Sequence, residues 1–390
     1  MVNSFKLTRT PQVIFGPGCL EGLPHLLEKF GDRQLVITGA DSFQSGSKGK
    51  KLFRVLEQGN HILCRGRIIK EPSPADIDDI VTEYSGKNID VVVGIGGGSV
   101  LDASKAVSAM LKTGESVKDY IEGVGTKKYE GIKIPFIAIP TTAGTGSEMT
   151  ENAVISEVHS DGFKRSLRHS SLVPDIALVD PVLTLDCPPE ITAASGMDAL
   201  TQLIESYVSS KSNAYTDSLA EVAIKLLVSN LTKVYKDGND ISARTVVSYA
   251  AMISGITLAN AGLGVVHGFA SSVGGIIDIP HGILCGSLIG VANRIIVDKL
   301  IKDDPGNPAL LKYAGLGKYF SENKNLTINQ SATAFVDLVE KMADDMSIPR
   351  IGNFGLKTGH LFKIIESTGQ KNNPVKLNNE ELESILVSRL

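Results

Sequence analysis

The pattern of apolar and polar positions divides the chain into two halves of different character. In the first half, short apolar runs rich in β-branched residues alternate with longer segments whose apolar residues recur every three or four positions. Short continuous runs are typical of strands buried on both faces, and the longer spacing is typical of helices. This alternation predicts a parallel α/β sheet. Its strands are predicted at residues 34–38, 61–66, 89–96, 134–140 and 176–180, with an added edge strand at 11–16.

The second half is predicted to be helical. The segment 180–190 contains three prolines and no clear helical period, and strand-like runs become rare beyond it. Apolar residues recur at helical spacing in segments 189–209, 217–236 and 243–260. We therefore predict two domains, an α/β domain over residues 1–182 and an all-α domain over residues 183–390.

Glycine is over-represented, with 39 residues in 390 against an average near 7%. The densest cluster, Gly94 to Gly98, follows a predicted strand and opens a predicted helix, which Ser99 could cap. A glycine turn between a strand and a helix N-terminus is typical of a phosphate site, because backbone N–H groups point at the ligand. The segment is neither a complete GxGxxG nor a Walker loop. A tight turn under close helix–strand packing is the alternative interpretation.

A second cluster, residues 140–148, also follows a predicted strand. It carries four hydroxyl side chains, three of them on Thr141, Thr142 and Thr145, beside two glycines. Hydroxyls of this kind suit hydrogen bonding to phosphate or ribose, whereas the alternative is an ordinary surface loop. Both clusters follow strands of one sheet, and open α/β sheets bind ligands at the carboxyl ends of their strands.

A few acidic and histidine residues in the second half suggest a metal site. Asp198 and Gln202 lie four residues apart on one predicted helical face, and His267 and His281 are each followed by glycine. One Asp and two His can form a facial set of the kind used for divalent iron. Histidines satisfied by backbone and a merely capping Asp are the alternative. We interpret Cys285, near His281, as a packed thiol, since no activating base is identifiable.

Charge and cysteine content exclude other classes. The net charge is −4 with no long basic run, so nothing indicates nucleic-acid binding. Four scattered cysteines without a CxxC pair argue against a disulfide framework. The N-terminus lacks the apolar core of a signal peptide, and no uninterrupted run of 18 apolar residues predicts a membrane span. We expect a soluble cytoplasmic protein.

The chain resembles the iron-containing (group III) alcohol dehydrogenase family over nearly its full length. The motifs PQVIFGPG, GIGGGSVLDASKA, PTTAGTGSE, LVPDIALVDP, GMDALTQLIESYVS, HGF, DIPHG and NNP occur in the family's order. The resemblance implies a dehydroquinate synthase-like architecture, in which an α/β dinucleotide-binding domain and a helical domain enclose the active site. The glycine loop alone would be less specific, because glycerol dehydrogenases and dehydroquinate synthases have similar loops.

The resemblance also implies site residues. It implies a nicotinamide cofactor, with Lys164 reaching its ribose. It implies a divalent metal, Fe²⁺ or Zn²⁺, bound by one Asp and three His, of which Asp198, His267 and His281 match three; both histidines are then the candidate catalytic residues. The residues expected to contact the cofactor through its two loops are Gly96, Gly97, Gly98, Ser99, Asp102, Thr141, Thr142 and Thr145.

Three positions depart from the family pattern. Gln202 replaces the second histidine ligand, and a neutral amide is a poorer ligand than imidazole, so a site without metal is the alternative. Ser271 replaces a histidine often credited with proton relay. Gly39 replaces an Asp that selects NAD by repelling a 2′-phosphate, which favours NADP(H) over NAD(H). Partial substitution by Asp41, two residues on, is the alternative.

These residues predict an NAD(P)-dependent oxidoreductase that interconverts a small alcohol and an aldehyde or ketone, with the metal polarising the substrate oxygen. A metal-independent oxo-acid reductase, similar to those acting on maleylacetate, is an alternative, motivated by Gln202 and the basic segment 164–169. A dehydroquinate-synthase-like lyase and a nucleotide-binding sensor are two others. The resemblance further implies a homodimer or larger homo-oligomer, with segment 5–16 pairing across a two-fold axis.

Overall fold

The computed structural model describes residues 4–59 and 61–390. Within these residues, six strands form one parallel sheet in the order β1-β8-β5-β4-β2-β3, and β6 and β7 form an antiparallel hairpin. The strands are β1 (Gln12–Phe15), β2 (Arg33–Thr38), β3 (Ile62–Arg67), β4 (Val91–Gly96), β5 (Phe136–Pro140), β6 (Asn152–Glu157), β7 (Phe163–Arg168) and β8 (Ile176–Val179).

All six predicted strands of the sheet are confirmed, including β1 as an edge strand. The central strands β4 and β5 are buried along their whole length, as their continuous apolar runs require. The basic segment 164–169 was not predicted as a strand. It forms most of β7, because Lys164 and Leu167 turn inward while Arg165 and Arg168 face solvent.

Helices cover both faces of the sheet and build the rest of the chain. The first half contains α1 (Leu23–Leu27), α2 (Asp41–Ser45), α3 (Ser47–Gln58), α4 (Pro74–Tyr84) and α5 (Gly98–Thr113). The second half contains α6 (Pro189–Val208), α7 (Ala214–Lys236), α8 (Ile241–Ala261), α9 (Val265–Gly274), α10 (His281–Asp303), α11 (Pro308–Phe320), α12 (Ile328–Asp345), α13 (Leu361–Ser367) and α14 (Asn379–Val387).

Two apolar layers pack against the sheet, one on each face. Successive residues of β4 point to opposite faces, so Val92 packs with α4 and α5 while Val93 packs with α1 and α3. A third and larger core fills the helical half, with α6 at its centre against α7, α8 and α10. The predicted architecture of a parallel α/β half followed by a helical half is therefore confirmed.

Helix α8 is long and apolar enough to cross a membrane, by length and composition alone. In the fold it packs against α6 and α7, and 61% of its most apolar window is buried inside the protein. Burial inside the helical core accounts for its apolar composition. All four cysteines lie within the described residues and are free thiols, as the scattered spacing predicts.

Candidate metal centre and cofactor cleft

The predicted acidic and histidine residues meet in one cluster, in which Asp198 is buried and the two histidines are partly exposed. Oδ1 of Asp198 lies 3.5 Å from Nε2 of His267 and 3.4 Å from Nε2 of His281. The thiol of Cys285 joins them, and the potential ligand atoms of these four residues all lie within 4.8 Å of one another. The structure thus brings together three of the four predicted metal ligands and adds a residue that the sequence analysis interpreted as packing.

Helix starts position the two imidazoles. Helix α9 begins at Val265, which places His267 in its first turn. Helix α10 begins at His281 itself, because Pro280 cannot continue a helix on its N-terminal side and has an extended backbone. Asp198 projects from the middle of α6, where it is 1% exposed. Three separate helices therefore supply the cluster, which explains the long spacing of its residues along the chain.

Glu205 fixes the orientation of His267. One of its oxygens lies 2.6 Å from Nδ1 of His267, and the other accepts the backbone N–H of Val266 at 2.7 Å. A carboxylate only accepts, so Nδ1 carries the proton and Nε2 is left free to face Asp198. Metal-binding histidines characteristically donate to a carboxylate in this way. The sequence analysis missed Glu205, although it lies seven residues after Asp198 on the same helical face.

Buried atoms without partners show that the cluster fits a cation. Within the described residues, Oδ1 of Asp198 and Nδ1 of His281 are buried and accept or donate no hydrogen bond. A buried carboxylate oxygen without a donor is costly, and a metal ion would satisfy it. Carboxylate and imidazole are also the donor types that bind divalent iron and zinc. The residues present therefore fit a divalent metal.

The protonation states of two groups favour the same conclusion. Burial lowers the pKa of His281 to about 4, which the nearby charge of Asp198 only partly opposes, so this imidazole is neutral at neutral pH. Burial alone would raise the pKa of Asp198, but the neighbouring His281 and His267 imidazoles hold it below its usual value. A neutral imidazole and an ionised carboxylate are the forms that bind metal. Burial would lower the pKa of His267, but Cys285, Glu205 and Asp198 raise it well above its usual value, so this imidazole loses a proton when metal binds.

The side chain of Gln202 is not oriented as its predicted role as a metal ligand requires. Its amide nitrogen donates to Oδ2 of Asp198 at 3.3 Å, and its amide oxygen accepts from the hydroxyl of Ser254 at 2.6 Å. The opposite orientation of the amide would set its oxygen against the carboxylate, which cannot donate. The coordinating oxygen of Gln202 is therefore turned away from the cluster. Ser271, at the position of the family's relay histidine, bonds back to the His267 carbonyl at 3.2 Å.

We expect a Glu205→Gln variant to bind zinc about 10-fold more weakly, because loss of an outer carboxylate typically costs 10- to 100-fold in metal affinity. The change keeps the side-chain shape but leaves one acceptor for two donors. Competition against a chromophoric chelator measures the affinity. Glu221→Gln, a partly exposed change on α7, is the matched control. Equal zinc affinity in both variants would show that Glu205 does not support the site.

The two predicted cofactor loops also meet. The backbone N–H of Thr141 donates to the carbonyl of Gly96 at 3.0 Å. A Cβ on Gly98 would lie 2.5 Å from the Thr145 side chain, so glycine is required where the loops approach each other. Close packing, which the sequence analysis gave as the alternative explanation for the glycine cluster, is thus present at Gly98. This packing places both loops side by side at the carboxyl edge of the sheet.

The N-terminus of α5 is open for a phosphate group. The helix starts at Gly98 with Gly97 as its N-cap, and no described side chain caps it. Ser99 was expected to cap this helix, but it lies one residue inside the first turn, where it cannot act as the cap. First-turn N–H groups of an uncapped helix favour anions.

Asp102 lies below the loops rather than on their surface. Its Oδ1 accepts from the hydroxyl of Ser147 at 2.5 Å, and its Oδ2 accepts from the backbone of Val154 at 3.1 Å. The ammonium of Lys105, fully buried, donates to the same Ser147 hydroxyl at 2.8 Å. Both oxygens of Asp102 are therefore engaged by the protein, and the residue ties the glycine loop to the second loop and β6.

Lys164 and Gly39 are two further residues that the sequence analysis expected to take part in cofactor recognition. The buried ammonium of Lys164 lies 2.5 Å from Glu71, whose pKa burial would raise but which Lys164 and His281 hold below its usual value. Gly39 directly follows β2, and a Cβ there would meet only ordinary contacts of 3.8 Å or more. The side chain of Asp41, the substitute for a ribose-binding Asp, lies outside the described residues.

Burial at the second loop leads to a pH-dependent stability. Burial raises the pKa of Glu148 to about 7 from its ordinary 4.5. The folded state therefore holds this proton more tightly than the unfolded state does. Its stabilising contribution is complete below about pH 4.5 and is lost as the pH rises through 7.

Glu148→Gln should accordingly gain free energy of unfolding relative to wild type as the pH rises from 5 to 8, by up to about 3 kcal/mol. Urea unfolding at both pH values measures the difference. The exposed carboxylate of Glu190, changed to Gln, is the control. A difference between Glu148→Gln and wild type that does not grow with pH would contradict the assignment.

Comparisons with known proteins agree with this geometry. A sequence model described as iron-containing alcohol dehydrogenase matches residues 10–181, and one described as the C-terminal part of that family matches residues 192–390. The chain is 31% identical over 384 residues to alcohol dehydrogenase 4 of Saccharomyces cerevisiae, with 96% of each chain covered. It is 30% identical over 396 residues to an NADPH-dependent butanol dehydrogenase of Clostridium saccharobutylicum, covering 97% of this chain and 96% of that one.

Comparison of the fold with solved structures leads to the same kind of protein. The structure of an alcohol dehydrogenase from Oenococcus oeni superposes with a TM-score of 0.88 at 27% sequence identity, covering 99% of this chain and all of that one. Together, these matches cover both halves of the molecule. The chain therefore belongs to the iron-containing alcohol dehydrogenase family.

Proposed function

We propose that the protein is an NADP(H)-dependent oxidoreductase that interconverts a small alcohol and an aldehyde or ketone at a divalent metal centre. The observation that carries the proposal is the cluster of Asp198, His267 and His281, with an unsatisfied carboxylate oxygen facing two Nε2 atoms. It lies beside the cofactor loops, since a Cβ on Gly144 would lie 2.7 Å from Ser195, three residues before Asp198.

Each part of the site has a distinct task in this proposal. A bound divalent metal supplies Lewis-acid polarisation of the substrate oxygen. Asp198 and the two imidazoles hold it, and Glu205 keeps Nε2 of His267 turned inward. A bound nicotinamide cofactor would supply the hydride, and the two loops would hold and orient it. Ser254 links the parts, with its hydroxyl 3.4 Å from the carbonyl of Gly144 and 2.6 Å from Gln202.

Two features at the end of β2 support NADP(H) over NAD(H). Gly39 removes the carboxylate that would repel a 2′-phosphate. Arg67 lies opposite Thr38 in the β2–β3 register, next to that end, and its side chain is exposed. An arginine near this position is the usual partner of a 2′-phosphate. The relative from Clostridium saccharobutylicum is named as NADPH-dependent and one from Bacillus methanolicus as NAD-dependent, so residues at the end of β2 rather than the relatives carry this choice.

The rival functions receive less support from the structure. An oxo-acid reductase needs a cationic anchor, but Lys164 is paired with Glu71 and Arg168 with Glu122. The named relatives are dehydrogenases, which does not favour a lyase or a sensor. Net oxidation of NADPH against a panel of short aldehydes, ketones and oxo acids tests the choice. Turnover with oxo acids alone would overturn the proposal, as would binding without turnover.

We also infer a homodimer formed along the free edge of the sheet, and a cytoplasmic location. Within the described residues, β1 pairs only with β8, and Phe5, Leu7 and Val13 on and before this strand are each about 40% exposed. An edge strand with exposed apolar residues readily pairs with another chain. Light scattering coupled to size-exclusion chromatography tests the dimer, and a monomer mass would refute it.

A further inference from the structure

The fourth corner of the metal cluster is filled by sulfur. The thiol of Cys285 lies 3.8 Å from Nε2 of His267 and 3.7 Å from Nε2 of His281. The amide oxygen of Gln202, the residue at the sequence position of the missing ligand, accepts from Ser254 instead. The cluster therefore has four donor groups, but the fourth is the thiol of Cys285 and not the amide of Gln202.

Helix α10 sets the position of the thiol. Cys285 follows His281 by four residues, so both side chains project from the same face of the helix. The residue is completely buried, and its polar neighbours are groups of the cluster itself. A thiol that served only packing would need no such neighbours, because free cysteine in a core behaves as a small apolar residue.

The distances match a tetrahedral site. Zinc binds nitrogen and oxygen at about 2.0 Å and sulfur at about 2.3 Å, which sets tetrahedral ligand atoms about 3.3 to 3.6 Å apart. The observed separations are 3.4 and 3.5 Å between Asp198 and the two imidazoles, and 3.7 and 3.8 Å between those imidazoles and sulfur. A small contraction around an ion would bring these four separations to the expected values, and the other two pairs of ligand atoms lie within 4.8 Å.

We propose that Cys285 is the fourth ligand of the metal centre in place of Gln202, and that the centre consequently prefers Zn²⁺ to Fe²⁺. This inference rests on the proposed metal centre. On binding, the S–H bond breaks, a metal–sulfur bond forms, and the proton leaves to solvent without any oxidation or reduction. Thiolate is a softer donor than imidazole, and tetrahedral sets containing sulfur are typical of zinc. Zinc also accepts a fifth ligand, which leaves room for a substrate.

Gln202 acts as a positioning residue in this arrangement. Its amide nitrogen donates to Oδ2 of Asp198, which leaves Oδ1 directed at the imidazoles and the thiol. Removing the amide should loosen the carboxylate without removing a ligand. Gln202→Ala is therefore expected to keep all the metal ligands but hold Asp198 less firmly, whereas Cys285→Ser removes the sulfur ligand.

Cobalt substitution tests the assignment without relying on activity. The full-length protein is stripped of metal, loaded with Co²⁺ under anaerobic conditions and examined by absorption spectroscopy. We expect visible d–d bands together with an intense thiolate-to-cobalt charge-transfer band in the near ultraviolet. Cys285→Ser and Cys285→Ala should bind cobalt but lose the near-ultraviolet band. Gln202→Ala and the matched control Cys64→Ser should keep it.

The outcomes separate the ligand from the centre. If the visible bands disappear in His267→Ala, cobalt occupies the proposed centre. The role of Cys285 would then be overturned if wild type showed no near-ultraviolet band, or if both Cys285 variants kept that band. Either result would leave the centre itself standing. Failure of wild type to bind cobalt would overturn both.

Metal preference has its own readout in competition experiments. Zinc affinity of Cys285→Ser, measured against a chelator, should fall by at least about 10-fold. Elemental analysis after anaerobic exposure to equal Zn²⁺ and Fe²⁺ should find zinc in wild type. Retention of iron would refute the preference.

Discussion

Replacing His267 with alanine should lower kcat/KM for NADPH-dependent aldehyde reduction by about 1,000-fold. Polarisation of the substrate oxygen by a metal is worth several kcal/mol, and each 1.36 kcal/mol of barrier is about tenfold in rate. Loss of this imidazole removes one ligand and leaves Glu205 buried without its partner at Nδ1. Steady-state kinetics with a short-chain aldehyde measure the effect.

The fold should survive this change. His267 lies in the first turn of α9 at the edge of the helical core, so circular dichroism and the thermal midpoint serve to confirm folding. His25→Ala is the matched control, because this histidine is exposed on α1, where it lies 3.0 Å from the exposed carboxylate of Glu28. A folded His267→Ala enzyme with activity within a few-fold of wild type would remove the histidine from the reaction.

Replacing Gly39 with aspartate should reverse the cofactor preference. The wild-type enzyme is expected to use NADPH better than NADH. An aspartate at the end of β2 would place a carboxylate against the 2′-phosphate, and like charges in contact cost several kcal/mol. We expect kcat/KM for NADPH to fall by roughly 100-fold, and NADH to be used at least as well as before. The backbone accepts a side chain here, since its nearest contact would be Val100 at 3.8 Å.

Gly39→Asn separates charge from size. It has nearly the same shape as aspartate and no charge, so it should reduce NADPH use by far less. Equal losses in the two variants would show that bulk, rather than charge, sets the preference. A wild-type enzyme that prefers NADH would contradict the cofactor assignment directly.

The sheet and the loops could be predicted from the sequence because their signals are local. A buried parallel strand such as β4 requires a continuous apolar run, and a phosphate-binding turn requires glycine at its end. The hairpin strand β7 was missed because a lysine occupies an inward position. Lys164 is buried there only because Glu71, more than 90 residues away in the chain, provides its counter-charge.

The candidate metal cluster could be predicted only in part. Asp198, His267 and His281 were found from residue type and family resemblance. The roles of Gln202 and Cys285 depend on which way side chains turn, and that is set by tertiary partners. The carboxylate of Asp198, which only accepts, decides the orientation of the Gln202 amide, and the start of α10 decides where the thiol points. The spacing of Glu205 from Asp198 was a local signal, but the sequence around a single glutamate on a helix does not identify the residue to which it hydrogen-bonds.

The most direct measurement of the central claim is NADPH oxidation by a short-chain aldehyde before and after metal removal. The protein is purified without chelator, assayed, dialysed against a strong chelator and assayed again after stepwise addition of Zn²⁺ or Fe²⁺. The account predicts that chelation abolishes turnover and that one equivalent of metal restores it. Full turnover in demonstrably metal-free protein would contradict it.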